Sequence, residues 1–412
     1  MIDKNEMKKK GMKGVKTIIF GRTLIVVFAF LVQFALLTAI YIWLREYSYI
    51  FYLIFIVLSV SVVLHLFNSS GSPEFKLVWM LPLIIFPVFG ALFYLYVYTQ
   101  LGTKMLFRRL RFLSGYTKQY VPQNMQVKAR LKERNPQMGH FADYMEEYDN
   151  SPVYDHTQVT YYPLGDDQFV DMLEELKKAE KFIFMEYHAI EDAQAWHKIQ
   201  SVLEDRVKAG VDVRVFYDDM GSIGFINTDF IKKMEKVGIH CRVFNPFTPG
   251  LNVFLNNRDH RKITVIDGKV GFTGGYNLAN EYFNFTHPYG QWKDTGIRLE
   301  GEAVRSLTVT FLEMWNAVSD KDKNDSDFNK FLLSTDYQAK QTGFIQPYAD
   351  SPMDNEQVGE EVYISMANKA EKYCWFMTPY LIITDEMTHA LCLAAKRGVD
   401  VRIITPGIPD KK

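Results

Sequence analysis

The chain has 412 residues and a formal net charge of −1, so overall charge singles out neither a nucleic acid nor an anionic surface as partner. Its three cysteines, Cys241, Cys374 and Cys392, have no paired spacing, which speaks against a disulfide framework and a cysteine zinc site and suits a reducing compartment.

In chain order, the first hundred residues are dominated by three apolar runs, Thr23–Leu44, Tyr49–Phe67 and Val78–Tyr98. Each is close to the ~20 residues that cross a hydrocarbon core, which predicts an integral, multi-pass membrane protein rather than a cleaved leader. The third run contains Pro82, Pro87 and Gly90, and is expected to be re-entrant. The first two are separated only by Arg45–Ser48 and are expected to form a tight hairpin. Six lysines in residues 1–16 and nine Lys/Arg in residues 99–134 place both flanks, and the bulk of the chain, on the cytoplasmic side. The basic stretch 104–134, with "KMLFRRLRFL", reads as a juxtamembrane segment on anionic headgroups.

From Gln158 the pattern is α/β. "QVTYYP", "KFIFMEYHAI" and "VDVRVFYDD" read as strands, with "DQFVDMLEELKKA" and "AWHKIQSVLEDRVKAG" as helices between them. A helix over 228–238, a strand over 240–244 and a Pro/Phe/Asn/Gly-rich loop follow; the loop, "NPFTPGLNVFL", is placed at the membrane interface. Alternating strands and helices predict a largely parallel sheet covered on both faces. The polar run 319–330 marks a boundary.

The unit repeats. GVDVR occurs at Gly210–Arg214 and at Gly398–Arg402, and the upstream strands open at Lys181 and Lys372, 191 residues apart against 188 for the pentapeptides. Two copies of one α/β unit are predicted. His260 lies 50 residues after Gly210, and the same offset from Gly398 falls near position 448, so the second copy is expected to be incomplete, in a fragment of a longer chain.

The chemistry concentrates in "DHRKITVIDGKVGFTGGYN", residues 259–277, which reads as a strand hairpin turning at Gly268–Lys269. His260 and Lys262 fall on one face. Lys262 offers a point charge to phosphate oxygens, and His260 can attack phosphorus or move a proton. Gly274 and Gly275 let backbone approach a ligand or open a helix whose amides bind phosphate. Asp267 is read as the carboxylate that orients the imidazole. A metal site is disfavoured, because the segment holds no further ligand at suitable spacing.

His260, Lys262, Asp267, Gly274, Gly275 and Asn277 resemble the H-x-K-x4-D-x6-G-G/S-x-N signature of the phospholipase D superfamily. The chain as a whole resembles bacterial cardiolipin synthases, from "SPEFKLVWMLPLIIFPVFGALFYLY" through "FMEYHAI", "NNRDHRKITVIDG" and "WKDTGIRLEGEAV" to "FMTPYLI" and "GVDVRIITPGIPDKK". The resemblance implies N-terminal transmembrane helices in residues 1–100, a basic linker over 101–154, a phospholipase D-like α/β domain over 155–330 and the start of a second over 331–412. It implies transfer of a phosphatidyl group between two phosphatidylglycerols, giving cardiolipin and glycerol with no cofactor and no metal. In that scheme one histidine forms a phosphatidyl-histidine and another protonates the departing glycerol. His260 would take either role, Lys262 and Asn277 would bind the phosphate, and Asp267 would support the histidine. The implied partners are phosphatidylglycerol and the bilayer of the cell membrane, not nucleic acid, with a second chain as one source of the missing motif. The alternatives are a phospholipid hydrolase and an inactive membrane remnant.

Overall fold

The computed structural model describes residues 31–39, 42, 48–69, 73–98, 101–227, 229–246, 257–319, 325–332, 339–340, 343–351 and 356–408. The chain divides into two compact units, residues 1–106 with 247–256, and residues 107–246 with 257–412. The N-terminal lysines, most of the run Thr23–Leu44 and nearly all of the loop "NPFTPGLNVFL" lie outside the described residues.

In the first unit, α1 (Ser48–Phe67) is followed by α2 (Pro73–Ile85) and α3 (Pro87–Tyr98). Among the described residues, one helix, Tyr49–Phe67, is long and apolar enough to cross a membrane. Its 19 residues rise about 28 Å at ~1.5 Å each. The third apolar run, expected to be re-entrant, is not one continuous helix. Pro87 has no amide proton and disfavours helical backbone at Phe86, so the helix stops there. The chain then doubles back: the rings of Trp79 and Tyr94 lie 5.3 Å apart. Gly90 fits against the Pro82 backbone, where a Cβ would come within 2.7 Å of the carbonyl oxygen. α2 and α3, with 13 and 12 residues, rise only about 20 and 18 Å. Val62, Leu66, Trp79, Leu83, Ala91 and Tyr94 form the small core of this unit. Its outer surface is also apolar, with Leu64, Leu81 and Ile84 among its exposed side chains.

The second unit is built on a seven-stranded sheet in the order β1-β7-β6-β5-β2-β3-β4. The strands are β1 (Thr157–Tyr162), β2 (Phe182–Tyr187), β3 (Asp212–Asp218), β4 (His240–Phe244), β5 (Lys262–Ile266), β6 (Val270–Gly274) and β7 (Gly296–Gly301). Only β2, β3 and β4 run parallel; β5, β6, β7 and β1 pair antiparallel. The sheet is therefore mixed, which corrects the expectation of a largely parallel one. Three residues, Asp267–Lys269, join β5 to β6, and so short a link closes only an antiparallel pair.

Both faces are covered, as expected. α7 (Gly165–Lys177), α8 (Gln194–Lys208) and α9 (Phe230–Lys236) lie with one face, where Met172, Trp196, Ile199 and Leu203 are fully buried. On the other, α10 (Val304–Ala317) stacks Phe311 on Phe184 with ring centroids 4.6 Å apart.

At the described end of the polar run 319–330, Phe328 is fully buried and Asp325 pairs with Arg214 at 2.5 Å. Just beyond it Phe331 packs on Phe182 and Phe184. The basic stretch 104–134 lies in α4 (Leu101–Thr117) and α5 (Met125–Arg134), and α6 (Pro136–Asp149) follows it. In α5 the cations are matched rather than left for headgroups. Lys128 and Lys132 reach Asp143 at 2.6 and 2.7 Å, and Arg130 pairs with Asp155.

A second, two-stranded parallel sheet joins β8 (Tyr373–Met377) and β9 (Asp400–Ile404), with α11 (Val358–Lys369) and α12 (Asp385–Lys396). Its construction repeats that of β2 and β3. Gly210 and Gly398 end their helices at φ +90° and +92°. Asp212 N donates to Lys181 O and Asp400 N to Lys372 O, both at 3.0 Å.

Candidate active site

His260 sits just before β5 and is itself exposed, between the buried Asp259 and the half-buried Arg261, at the end of the sheet where β2 finishes. Two residues on, Lys262 pairs with Tyr187 of β2 and is buried. Its Nζ lies 3.1 Å from His260 Nδ1 and donates to the His260 carbonyl at 2.6 Å. Burial pulls the Lys262 pKa down to about 8, against the opposing pull of Asp259, Asp294 and Asp218. The ammonium is thus poorly solvated and short of a full counter-charge, the condition in which an anionic phosphate binds best.

Three groups that the sequence reading did not single out complete this end of the sheet. His188, following β2, places its ring centroid 4.6 Å from that of His260, tilted by 52°. Its Nδ1 bonds the carbonyl of Asp259 at 2.7 Å, and Asp218 Oδ1 lies 4.0 Å away. Burial lowers the His188 pKa and raises that of Asp218. Asp218 is fully buried and accepts from the Asp259 amide and from Arg258, which fixes the loop that carries His260. Asp294 packs its carboxylate on the Cα of Gly275, where any Cβ would overlap it. His188 and Asp294 lie 72 residues before and 34 after His260, and no periodic spacing announces them.

The glycine pair therefore has a different role from one of those expected. It opens no helix. Gly275 N donates to Thr295 O at 3.2 Å, and the next helical residues are a single 3-10 turn at Asn280–Phe283. The close approach that the glycines permit is that of Asp294 and Thr295. Asn277 is buried near His188: its Oδ1 accepts from Ala189 N at 3.1 Å and its Nδ2 donates to Tyr282 at 3.0 Å.

Asp267 does not meet the histidine, which corrects the role expected for it. It lies at the opposite end of β5, roughly 16 Å along the strand from Lys262. There its carboxylate accepts from the amides of Glu180, Lys181 and Phe182, each at 2.8 Å, and its φ is +54°. It anchors the start of β2.

His260 and Lys262 also line a cavity of about 620 Å³, together with Arg111, Asp149, Asp259 and Glu313. Burial raises Asp149 to about 6 and Glu313 to about 7. Beneath it the fully buried Glu186 has no hydrogen-bond partner among the described residues, and burial followed by repulsion from Asp259 holds it well above the usual carboxylate range. Near neutral pH Asp149 is mostly ionised and Glu313 about half protonated, so the wall offers a donor as well as acceptors, which suits a hydroxyl-bearing group. Among the described residues no group of three or more His, Cys, Asp or Glu side chains is placed to hold a metal ion.

The chain matches known proteins over most of its length. A family profile described as cardiolipin synthase, PLD-like domain, matches residues 172–315 and 363–412, and one described as phospholipase D-nuclease N-terminal matches residues 53–97. An uncharacterized protein of Streptococcus mutans is 44% identical over 350 residues, covering 85% of this chain and 75% of that one. A cardiolipin synthase of Alkalihalophilus pseudofirmus is 30% identical over 350 residues, covering 84% and 69%. A cardiolipin synthase of Clostridium perfringens is 31% identical over 353 residues, covering 83% and 71%. The chain belongs to the cardiolipin synthase family of phospholipase D-like proteins.

Proposed function

We propose that the chain transfers a phosphatidyl group from one phosphatidylglycerol to the hydroxyl of another, through a phosphatidyl-histidine at His260. The observation that carries this reading is the pairing of an exposed imidazole with a buried lysine 3.1 Å away, at the mouth of a polar cavity. Nε2 of His260 attacks phosphorus, and the bond to the glycerol oxygen breaks with its electron pair. Lys262 holds a non-bridging oxygen and offsets the charge that grows on the phosphoryl group. The cavity receives the glycerol, and Asn277 holds the peptide backbone behind the site. A second imidazole gives a proton to the leaving glycerol and takes one from the incoming hydroxyl. The family scheme draws it from a second copy of the motif, on this chain or a partner's.

The substrate is a bilayer lipid, and the first unit suits such a setting. An uncharged helix of spanning length and a helical hairpin with Leu and Ile on its outside favour a multi-pass anchor in the cell membrane.

The test supplies the full chain with phosphatidylglycerol vesicles and measures cardiolipin and glycerol. His260→Ala is expected to lower product formation by about 10³-fold or more. Undiminished product in that variant overturns the reading. Free phosphatidic acid in place of cardiolipin establishes the hydrolase instead.

A further inference from the structure

We infer that the end of the sheet carrying His260 is itself a membrane-contacting surface, whose loops seat Ile223, Phe225, Tyr289 and Trp292 at the boundary between lipid headgroups and acyl chains. The inference rests on the transfer reading above for its occupant, a phospholipid bilayer, and names the surface that meets it.

The two ends of the seven-stranded sheet are unlike. At the Asp267 end α7, α8 and α9 finish, and lysines stand exposed beside carboxylates. Lys177, Lys178 and Lys208 pair there with Glu174, Glu175 and Asp205. Among the described residues of 157–301, Val237 is the one large apolar side chain exposed at that end. At the His260 end large apolar side chains gather instead. Ile223 and Phe225, in the loop after β3, are exposed, and so is Tyr289 in the loop before β7. The cross-strand pair Tyr161 and Ile297, where β1 ends and β7 begins, is exposed at the same end. Single apolar side chains occur on any surface, but their concentration at one end of a sheet marks a place of contact.

The loops are held so that these groups cannot fold inward. Asp192 N donates to the Phe225 carbonyl at 3.1 Å, Phe225 N donates to Ser222 O at 3.0 Å, and Ile226 packs on the core. In the other loop Asn284 grips Trp292 twice, accepting from its amide at 2.7 Å and donating to its carbonyl at 2.9 Å. The half-buried Trp292 rests on Tyr282, with ring centroids 4.7 Å apart, and Tyr289 lies 6.2 Å from Trp292.

Both loops adjoin the reactive centre. Gly221, two residues before Ile223, packs against the ring of His188, and Tyr282 accepts from Asn277. The chemistry of the side chains selects lipid as the occupant. Tyr and Trp, with an apolar ring and a polar edge, favour the headgroup layer, and Phe and Ile favour the acyl chains below it. Lys293, exposed beside Trp292, donates to the Pro163 carbonyl at 2.7 Å and forms no ion pair among the described residues, unlike the paired lysines at the far end. Its charge complements a lipid phosphate. Seated this way, the sheet brings His260 to phosphodiesters that stay in the bilayer.

The test uses the full chain in phosphatidylglycerol–phosphatidylcholine vesicles, with Cys392→Ser removing the exposed thiol and leaving two buried ones. A nitroxide is attached in separate variants at Phe225→Cys, Tyr289→Cys and, as the reference at the far end, Lys208→Cys, all three being exposed positions. Relaxation of the label by oxygen is compared with relaxation by a water-soluble nickel chelate. The oxygen-to-nickel ratio is expected to be about threefold or more higher at the Phe225 and Tyr289 positions than at the Lys208 position. A smaller ratio at either position, whether from open water or from a protein covering this end, overturns the proposal. The readout needs no turnover, so the two claims fail separately. Aqueous labels in a chain that makes cardiolipin overturn this inference alone, and immersed labels in a chain that makes none overturn the transfer reading alone.

Discussion

The two βαβ copies share their local construction and differ in almost everything around it. Arg214 pairs with Asp212 and Arg402 with Asp400, two residues apart in each case. In the first copy, α10 and the segment after it cover that pair. Arg214 is 5% exposed, holds Asp325 as well, and lies over the rings of Phe184, Trp315 and Phe331. In the second, Arg402 is 61% exposed and rests on Trp375. β2 is buried along its whole length, whereas Tyr373, Trp375 and Met377 of β8 are exposed. A pentapeptide and its glycine thus write the turn, the register and the ion pair. What the pair is worth depends on strands and helices elsewhere in the chain.

The largest expected test of that difference is the paired substitution of the two arginines. Arg214→Ala leaves the buried Asp325 with Lys330 alone as its counter-ion and should cost about 3 kcal/mol in denaturant unfolding. Arg402→Ala should leave the midpoint unchanged, and equal losses would break the comparison. Next, Asp267→Ala removes the acceptor for three amides at the start of β2 and should cost about 2–4 kcal/mol, by the same measurement. Asp267→Asn tolerates the positive φ and should recover about half of that. The smallest effect should fall equally on both copies. Gly210→Ala and Gly398→Ala force a side chain onto φ near +90° and should each cost about 1 kcal/mol, because the turn is local.

Local features were the legible ones. Strand and helix positions from β1 to β6, the turn at Gly268–Lys269 and the repeat itself follow from periodicity and punctuation. Strand direction does not, because β5, β6, β7 and β1 are ordered by pairing between distant segments. His260 and Lys262 stand together because they are two residues apart on an extended chain. His188 and Asp294 reach the same place only through the sheet, so no spacing reveals them. Asp267 was misread for a reason available without the structure. Seven residues of extended chain span about 23 Å, far beyond a hydrogen bond to His260. The break in the third apolar run was legible too, since Pro87 divides it.

The position of Asp267 bears on what the sequence signature records. β2 and β5 are antiparallel, so the clamp at Asp267 and the meeting of His188 with His260 lie at opposite ends of one strand pair. A slip of two residues between these strands would part the rings by about 6.6 Å while leaving every side chain on its own face. The aspartate is a datum from which the working end is measured. A pattern that scores His, Lys and Asp together therefore joins a reagent to its alignment gauge, and a protein that has lost the gauge can keep its reagents and still miss the phosphorus.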